Sequence, residues 1–145
     1  MKIHTRYHGQ IDISEQEILY FQNGIPGFPD EEQFIILALP NQDLFSVLQS
    51  IGTADLAFII TNPFYFIDNY QFKLDQATID QLEIETDVGI SVLGIVTVHE
   101  PFEKTTANLQ APIVINTKNN LAKQVILNDS IYKIKHPLFG QSVKG

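Results

Sequence analysis

Apolar residues of this chain recur at alternate positions in short blocks rich in β-branched and aromatic side chains, and turn-forming residues separate the blocks. A period of two is the pattern of a β-strand with one buried face. The turn signals, among them Pro40-Asn41-Gln42-Asp43 and Asn119-Asn120, are spaced closely enough for hairpins. The pattern therefore predicts a mainly β fold, a compact antiparallel β-barrel-like single domain.

One segment departs from this pattern. In "LDQATIDQLEI", Asp75 is placed to cap a first helical turn, and Ala77, Ile79 and Leu82 form an apolar stripe at helical spacing. We expect one short helix here. The strands are expected at 2–8, 10–13, 17–21, 33–39, 45–50, 57–60, 71–74, 90–98, 105–109, 113–116 and 122–127.

The chain has 145 residues, a common length for one domain with a sizeable core. We place that domain at 1–138. Residues 139–145 follow Pro137, include two glycines and lack periodicity, which predicts a flexible C-terminal tail, although Leu138 and Phe139 offer apolar side chains for docking on the body.

The stretch "GIPGFPD" at 24–30 is unusually dense in glycine and proline. Pro26 and Pro29 lack backbone donors, so the stretch cannot be a central strand, while Gly24 and Gly27 permit turn conformations that other residues avoid. We expect a rigid, kinked connector, anchored by inward-facing Ile25 and Phe28.

The net charge of −8 argues against direct contact with nucleic acid or with anionic membranes, and would attract a basic protein. The absence of cysteine excludes disulfides and thiol chemistry. No apolar run is long enough for a signal peptide or a membrane helix, so a cytoplasmic protein is expected.

Catalytic signals are lacking. The four histidines have no companions at metal-ligand spacing, and the carboxylates in "PDEEQ", "EIETD" and "VHEPFEK" are typical of solvated loops. No nucleophile elbow, phosphate loop or dinucleotide fingerprint occurs. We expect a protein that is not an enzyme and that needs no cofactor or metal.

Several motifs, in their order along the chain, carry a family resemblance: "GIPGF" at 24–28, "LQS" at 48–50, "NPF" at 62–64, "IVTV" at 95–98, "NLQAPIVINTKN" at 108–119 and then "KQVIL". Together they closely resemble the flagellar assembly factor family, FliW, from residue 2 to residue 138. At position 62 this chain has Asn where many relatives have Asp.

The resemblance implies a compact β-barrel-like fold and a non-enzymatic role in partner switching. Members of the family bind cytoplasmic flagellin, in the manner of a chaperone. When flagellin is exported, they bind CsrA, an RNA-binding translational repressor, by a noncompetitive mechanism and so relieve repression of flagellin synthesis. The protein is expected to be a monomer when free.

The residues expected to contact these partners are chosen from their chemistry. Acidic positions suit a basic RNA-binding repressor, and apolar or aromatic positions suit flagellin. The acidic set is Asp30, Glu31, Asp68, Glu100 and Glu103, and the aromatic set is Phe28, Tyr65 and Tyr70.

Two other readings stay open from the residues alone. In "NPFYFIDNYQF", core packing accounts for part of the aromatic set, and the remainder is either a protein-binding patch or a stacking platform of a carbohydrate-binding or hydrolytic β-domain. A structural β-module, the third reading, would show long exposed strand edges.

Overall fold

The computed structural model describes residues 1–128 and 130–139. In these ranges the α-helix is α1 (Gln76–Gln81), and 3-10 turns lie at Glu15–Glu17, Pro63–Tyr65 and Phe102–Lys104. The strands are β1 (Lys2–His4), β2 (Gln10–Asp12), β3 (Leu19–Phe21), β4 (Gln33–Ala38), β5 (Phe45–Ser50), β6 (Ala57–Thr61), β7 (Ile90–Thr97), β8 (Thr106–Ala107), β9 (Ile113–Asn116), β10 (Leu121–Gln124) and β11 (His136–Pro137).

Seven of the described strands close into a ring, in the order β7, β6, β5, β4, β3, β10, β9 and back to β7. Neighbours are antiparallel except β3 and β10, which run parallel through Leu121 opposite Tyr20 and Ala122 opposite Phe21. Strand directions cannot alternate around a ring with an odd number of members, so one pair must be parallel. The expected β-barrel with one short helix is confirmed, and it is antiparallel except at this joint.

The alternating apolar residues of these strands form the core of the barrel. The cluster contains Leu19, Phe21, Ile25, Phe34, Leu48, Ile60, Ile113, Ile115 and Ala122. The rings of Phe21 and Phe34 meet edge to face with centroids 5.2 Å apart, and both side chains are fully buried. Burying such a side chain contributes about 1.5–3 kcal/mol, so this cluster dominates the stability of the ring.

Three further apolar clusters cover the outside of the barrel. The β1–β2 hairpin packs Ile3 and Ile13 against Ile35 of β4. Leu82, at the end of α1, packs on Val114 of β9, together with Val125 and Leu127. The third cluster lies over β6 to β8 around Tyr70, Val96, Ala107, Leu109 and Leu138.

The helix begins as expected. The Asp75 side chain accepts a hydrogen bond from Thr78 N at 2.9 Å. Hydrogen bonding from the Thr78 side chain, and then from its backbone N–H, lowers the pKa of the Asp75 carboxyl. The cap satisfies one of the free N–H groups of the first turn.

The strand expected at 71–74 is wrong. Burial alternates along it, with Phe72 and Leu74 half-buried, but no strand pairs with it among the described residues. Its main chain is held instead by a side chain, because Tyr132 OH accepts from Gln71 N at 3.1 Å. Alternating burial indicates that one face of a segment is buried. It does not show that the segment pairs with a neighbouring strand.

Two short strands near the C-terminus differ from those that the sequence pattern predicts. The strand expected at 105–109 narrows to β8, and β11, which the alternation did not indicate, pairs with it through His136 opposite Ala107. Pro137 sits in this terminal strand of the sheet, where proline is tolerated.

The chain packs against the rest of the domain as far as Phe139. Leu138 is buried and its N donates to Thr105 O at 3.3 Å. The Phe139 ring lies 5.2 Å from that of Phe66 and 5.5 Å from that of Phe102. The expected docking of these two residues is confirmed, so the tail does not begin at 139. Residues 140–145 lie outside the described residues, and their flexibility stays a prediction.

Candidate interaction surfaces

The segment 24–30 is a tight connector, as its composition predicted. Gly24 and Gly27 have φ values of +68° and +89°. Phe28 N donates to Ile25 O at 2.6 Å, and Ile25 N donates back to Phe28 O at 3.3 Å. Ile25 is only 2% exposed and joins the barrel core, so it anchors the loop.

Phe28 does not tuck inward as fully as Ile25. It is 40% exposed, and one side of its ring meets Phe58 at a centroid distance of 5.9 Å. Asp30 is exposed beside it. The loop therefore presents one aromatic side chain and one carboxylate to a partner, on a backbone that is already fixed.

Glu31 is engaged within the fold. Its carboxylate accepts hydrogen bonds from Ser50 Oγ and from Thr53 Oγ1, both at 2.6 Å. Ser50 Oγ also accepts from Thr53 N at 3.0 Å, which closes a small network at the β5–β6 turn. The bond from Ser50, followed by that from Thr53, holds the pKa of the Glu31 carboxyl below its usual value of 4.5.

This network predicts a pH-dependent stability. Because the pKa is lowered on folding, the contribution of Glu31 is complete above pH 4.5 and is lost as the pH falls through the native pKa. Glu31→Gln should cost about 1 kcal/mol at neutral pH and little at an acid pH below the native pKa of Glu31, since a partly exposed carboxylate gains only a modest net bond. Urea unfolding at both pH values measures this. Glu32→Gln, at an exposed neighbour, is the matched control. An equal loss at both pH values would contradict the role given to the charge.

A second surface lies over the outer side of β5 to β7, and we call it the aromatic face. The Phe45 ring lies 6.0 Å from Phe66 and 5.8 Å from Phe102, and Phe139 completes the cluster. The segments that carry these rings also carry exposed apolar residues: Leu44, Tyr65, Val98 and Phe102 itself. Tyr65 is 57% exposed and Phe102 is 48% exposed, so the face offers anchors for a protein partner.

Carboxylates border this face. Asp68 follows Phe66 in one loop, and Glu100 and Glu103 flank Phe102 in another; all three are exposed. Asp43, also exposed, precedes Phe45. Lys104, which follows Glu103, is the lysine in these loops. Exposed aromatic rings with an acidic rim suit a partner that presents a basic rim around apolar side chains.

Tyr70 is removed from the candidate set. It is 3% exposed, and its OH donates to Leu109 O at 2.7 Å. Its ring packs against Tyr132 with centroids 4.5 Å apart, and burial raises the pKa of its hydroxyl. The expectation that Tyr70 contacts a partner is wrong, because its ring fills the outer core and its hydroxyl closes a buried hydrogen bond.

The loop of the aromatic face is fixed at its start by Asn62. Its side-chain oxygen accepts from Phe64 N at 2.9 Å and caps the turn at Pro63–Tyr65. An Asp side chain can accept the same hydrogen bond. Asn at position 62, where many relatives have Asp, therefore preserves the local structure.

The structure thus divides the remaining candidates into two groups. Tyr65, Asp68, Glu100 and Glu103 lie on loops joined by the aromatic cluster, while Phe28 and Asp30 lie on the connector at 24–30 and Glu31 directly follows it. No ring contact joins the two groups within 1–128 and 130–139. Sequence reasoning missed Phe102 and Leu44. The signal for Phe102 was an apolar residue standing alone in a polar loop, and the signal for Leu44 was an apolar residue just before the strand at 45–50.

The described residues were also compared with what a metal site or a membrane-spanning helix requires. In the part of the chain that the structure describes, no group of three or more His, Asp or Glu side chains is placed to hold a metal ion. None of the described helices has the length and hydropathy needed to span a bilayer.

Comparison with known proteins adds the following. The family model described as "FliW protein" matches residues 2–138. The flagellar assembly factor FliW of Bacillus subtilis is 51% identical over 142 residues, covering 98% of this chain and 99% of that protein. The corresponding protein of Bacillus licheniformis is 49% identical over the same coverage. A crystal structure of the flagellar assembly factor FliW superposes with a TM-score of 0.93 at 47% identity, covering 99% of this chain and 100% of the other.

Proposed function

Because the chain belongs to the FliW family of flagellar assembly factors, we propose that it switches between two protein partners in the cytoplasm: flagellin, and the RNA-binding translational repressor CsrA. Bound flagellin keeps it from the repressor. Export of flagellin frees it, and the free protein then antagonises the repressor and restores flagellin synthesis. No catalytic step is involved.

Charge supports the choice of the repressor. An RNA-binding protein presents basic surface, and this chain carries a net charge of −8. Opposite charges raise the association rate and set the orientation of the encounter. The acidic rim of the aromatic face, Asp68, Glu100 and Glu103, is the part of the surface we assign to this contact.

The observation that carries the switching proposal is that Tyr65 and Asp68 are both exposed and lie close together in one loop. Tyr65 is an exposed anchor of the kind that flagellin would bury, and Asp68 belongs to the rim assigned to the repressor. A partner that covers either residue covers the other, so occupancy by one partner excludes the second. Phe28 and Asp30, on the connector, extend the contact of whichever partner is bound.

RNA is released by coupling in this proposal. The protein and RNA occupy the repressor together, and the added negative charge weakens RNA binding without covering the RNA site. Direct competition differs in one respect, since the apparent RNA affinity would then keep falling as more of this protein is added, whereas coupling brings it to a plateau.

Exclusion between the two partners tests the proposal. We expect purified protein to form a complex with flagellin and another with the repressor, each detectable by sedimentation velocity. Flagellin added in excess should displace the repressor without forming a complex of all three. Tyr65→Ala should weaken flagellin binding, whereas Tyr7→Ala, at an exposed tyrosine in the turn between β1 and β2, is the control. A stable ternary complex would contradict a shared face.

A further inference from the structure

One side of β10 and of the residues after it faces β9 and the residues before β9. Val125 N donates to Pro112 O and Leu127 N donates to Gln110 O, each at 2.8 Å. Lys123 lies opposite Val114 in the same register. Because N–H groups of successive strand residues point to opposite sides, Gln124 and Ile126 direct their N–H and C=O groups away from β9.

The other side of this segment loses its neighbour. The pairing of β10 with β3 ends at Ala122 opposite Phe21, after which the chain turns away at Gly24. Among the described residues, none forms a hydrogen bond with the main chain of Ile126, and none pairs with Gln124 on this side. The barrel is thus closed by a joint of two residue pairs, and an unpaired strand edge continues beyond it.

Two grooves flank the unpaired edge. One, of about 640 Å³, lies between β10 and the connector and is lined by Tyr20, Ile25 and Pro26. The other, of about 510 Å³, is lined by Phe72, Leu127 and Ile131. Ile131 is 83% exposed and Ile126 is 57% exposed. Apolar side chains of an added strand would find apolar walls here.

The charges in the grooves indicate which kind of segment fits. The charged side chains of the first lining are Lys123 and Glu83, and those of the second are Lys73 and Asp75. Each groove is therefore neutral overall, although the protein as a whole is strongly acidic. A charged segment gains nothing from these linings, whereas an uncharged segment with apolar side chains at alternate positions matches both the walls and the edge.

We propose that the edge at 124–126 binds an extended, uncharged segment of a protein partner by strand addition. The segment pairs its main chain with the N–H and C=O groups of Gln124 and Ile126, and it places alternate apolar side chains in the two grooves. About three residues of the segment lie opposite this length of edge. This surface is separate from the aromatic face and does not rest on the proposed function.

A short capped peptide in which Thr and Val alternate is the probe. In the free protein the amides of Gln124 and Ile126 should exchange with solvent rapidly, and saturating peptide should slow them by about tenfold or more, a protection that a main-chain hydrogen bond confers. The same peptide with proline in place of its central valine should bind at least about fivefold more weakly, because it lacks one donor.

A protein variant tests the same bond from the other side. Ile126→Pro removes an N–H that faces the open edge, where proline is tolerated, while Ile126→Thr keeps it. We expect the proline variant to bind the peptide about tenfold more weakly than the threonine variant. Equal binding of the two peptides, protection of a different region, or slow exchange at Gln124 and Ile126 without peptide would overturn the proposal. Protection that rises with protein concentration alone would assign the edge to a second copy of this chain and would overturn it too.

Discussion

Reversing two charges, with Glu100→Lys and Glu103→Lys together, is expected to slow association with the basic RNA-binding repressor by about tenfold or more at low salt. Both carboxylates are exposed and flank Phe102 on the aromatic face. Long-range attraction acts before contact, so the change should fall mainly on the association rate. It should shrink as added salt shortens the Debye length. Stopped-flow association across a salt series measures both effects.

The control must carry the same change of charge elsewhere. Glu85 and Asp87 are exposed and precede β7, whereas Glu100 and Glu103 follow it. Glu85→Lys with Asp87→Lys alters the net charge equally but leaves the aromatic face intact, so its association rate should change much less. If the two double variants slow association equally, only net charge matters and the assigned face is wrong.

Gly24→Ala is expected to destabilise the protein by about 3 kcal/mol or more, as measured by urea unfolding. The φ of +68° already disfavours alanine, and a Cβ at this position would overlap the Phe28 carbonyl oxygen and the Pro29 backbone. Neither obstacle is a flexible side chain that can move aside. The strain therefore falls on the connector that anchors Ile25 in the core.

Gly27→Ala separates the cost of a positive φ from the cost of steric overlap. Gly27 has a φ of +89°, but a Cβ there meets nothing within 4 Å. Its variant should lose about 1 kcal/mol, the cost of the backbone conformation alone. Equal losses at the two glycines would show that the close approach at Gly24 is relieved elsewhere in the loop.

Much of the fold was predictable because burial imposes a period on each strand separately. The strands at 45–50 and 113–116 were bounded correctly, and Asp75 marked the start of α1. Pairing is a property of two segments, and periodicity in one of them does not report it. The segment 71–74 alternates without a partner, and β11 pairs without alternating.

The candidate surfaces were predictable to a smaller extent. An acidic side chain in a loop is nearly always exposed, which is why Asp68, Glu100 and Glu103 were located correctly as surface residues. An aromatic side chain in a loop has two possible fates, and sequence does not separate them. Tyr65 lies outside while Tyr70 is buried, because only Tyr70 reaches the Leu109 carbonyl group.

The "LQS" motif shows what sequence alone leaves unexplained. Gln49 is fully buried, and its side chain accepts from Arg6 N at 3.0 Å while donating to main-chain oxygens of the β5–β6 turn. Ser50 holds Glu31. These bonds join segments that are distant in sequence, so the motif specifies a junction whose partners no local pattern reveals.

The RNA affinity of the repressor, measured at saturating levels of this protein and then again with flagellin added, tests partner switching most directly. The account predicts that the affinity falls to a finite, lower value that further addition of this protein does not lower, and that flagellin returns it to that of the repressor alone. An RNA affinity that this protein leaves unchanged, or that flagellin fails to restore, would contradict the account.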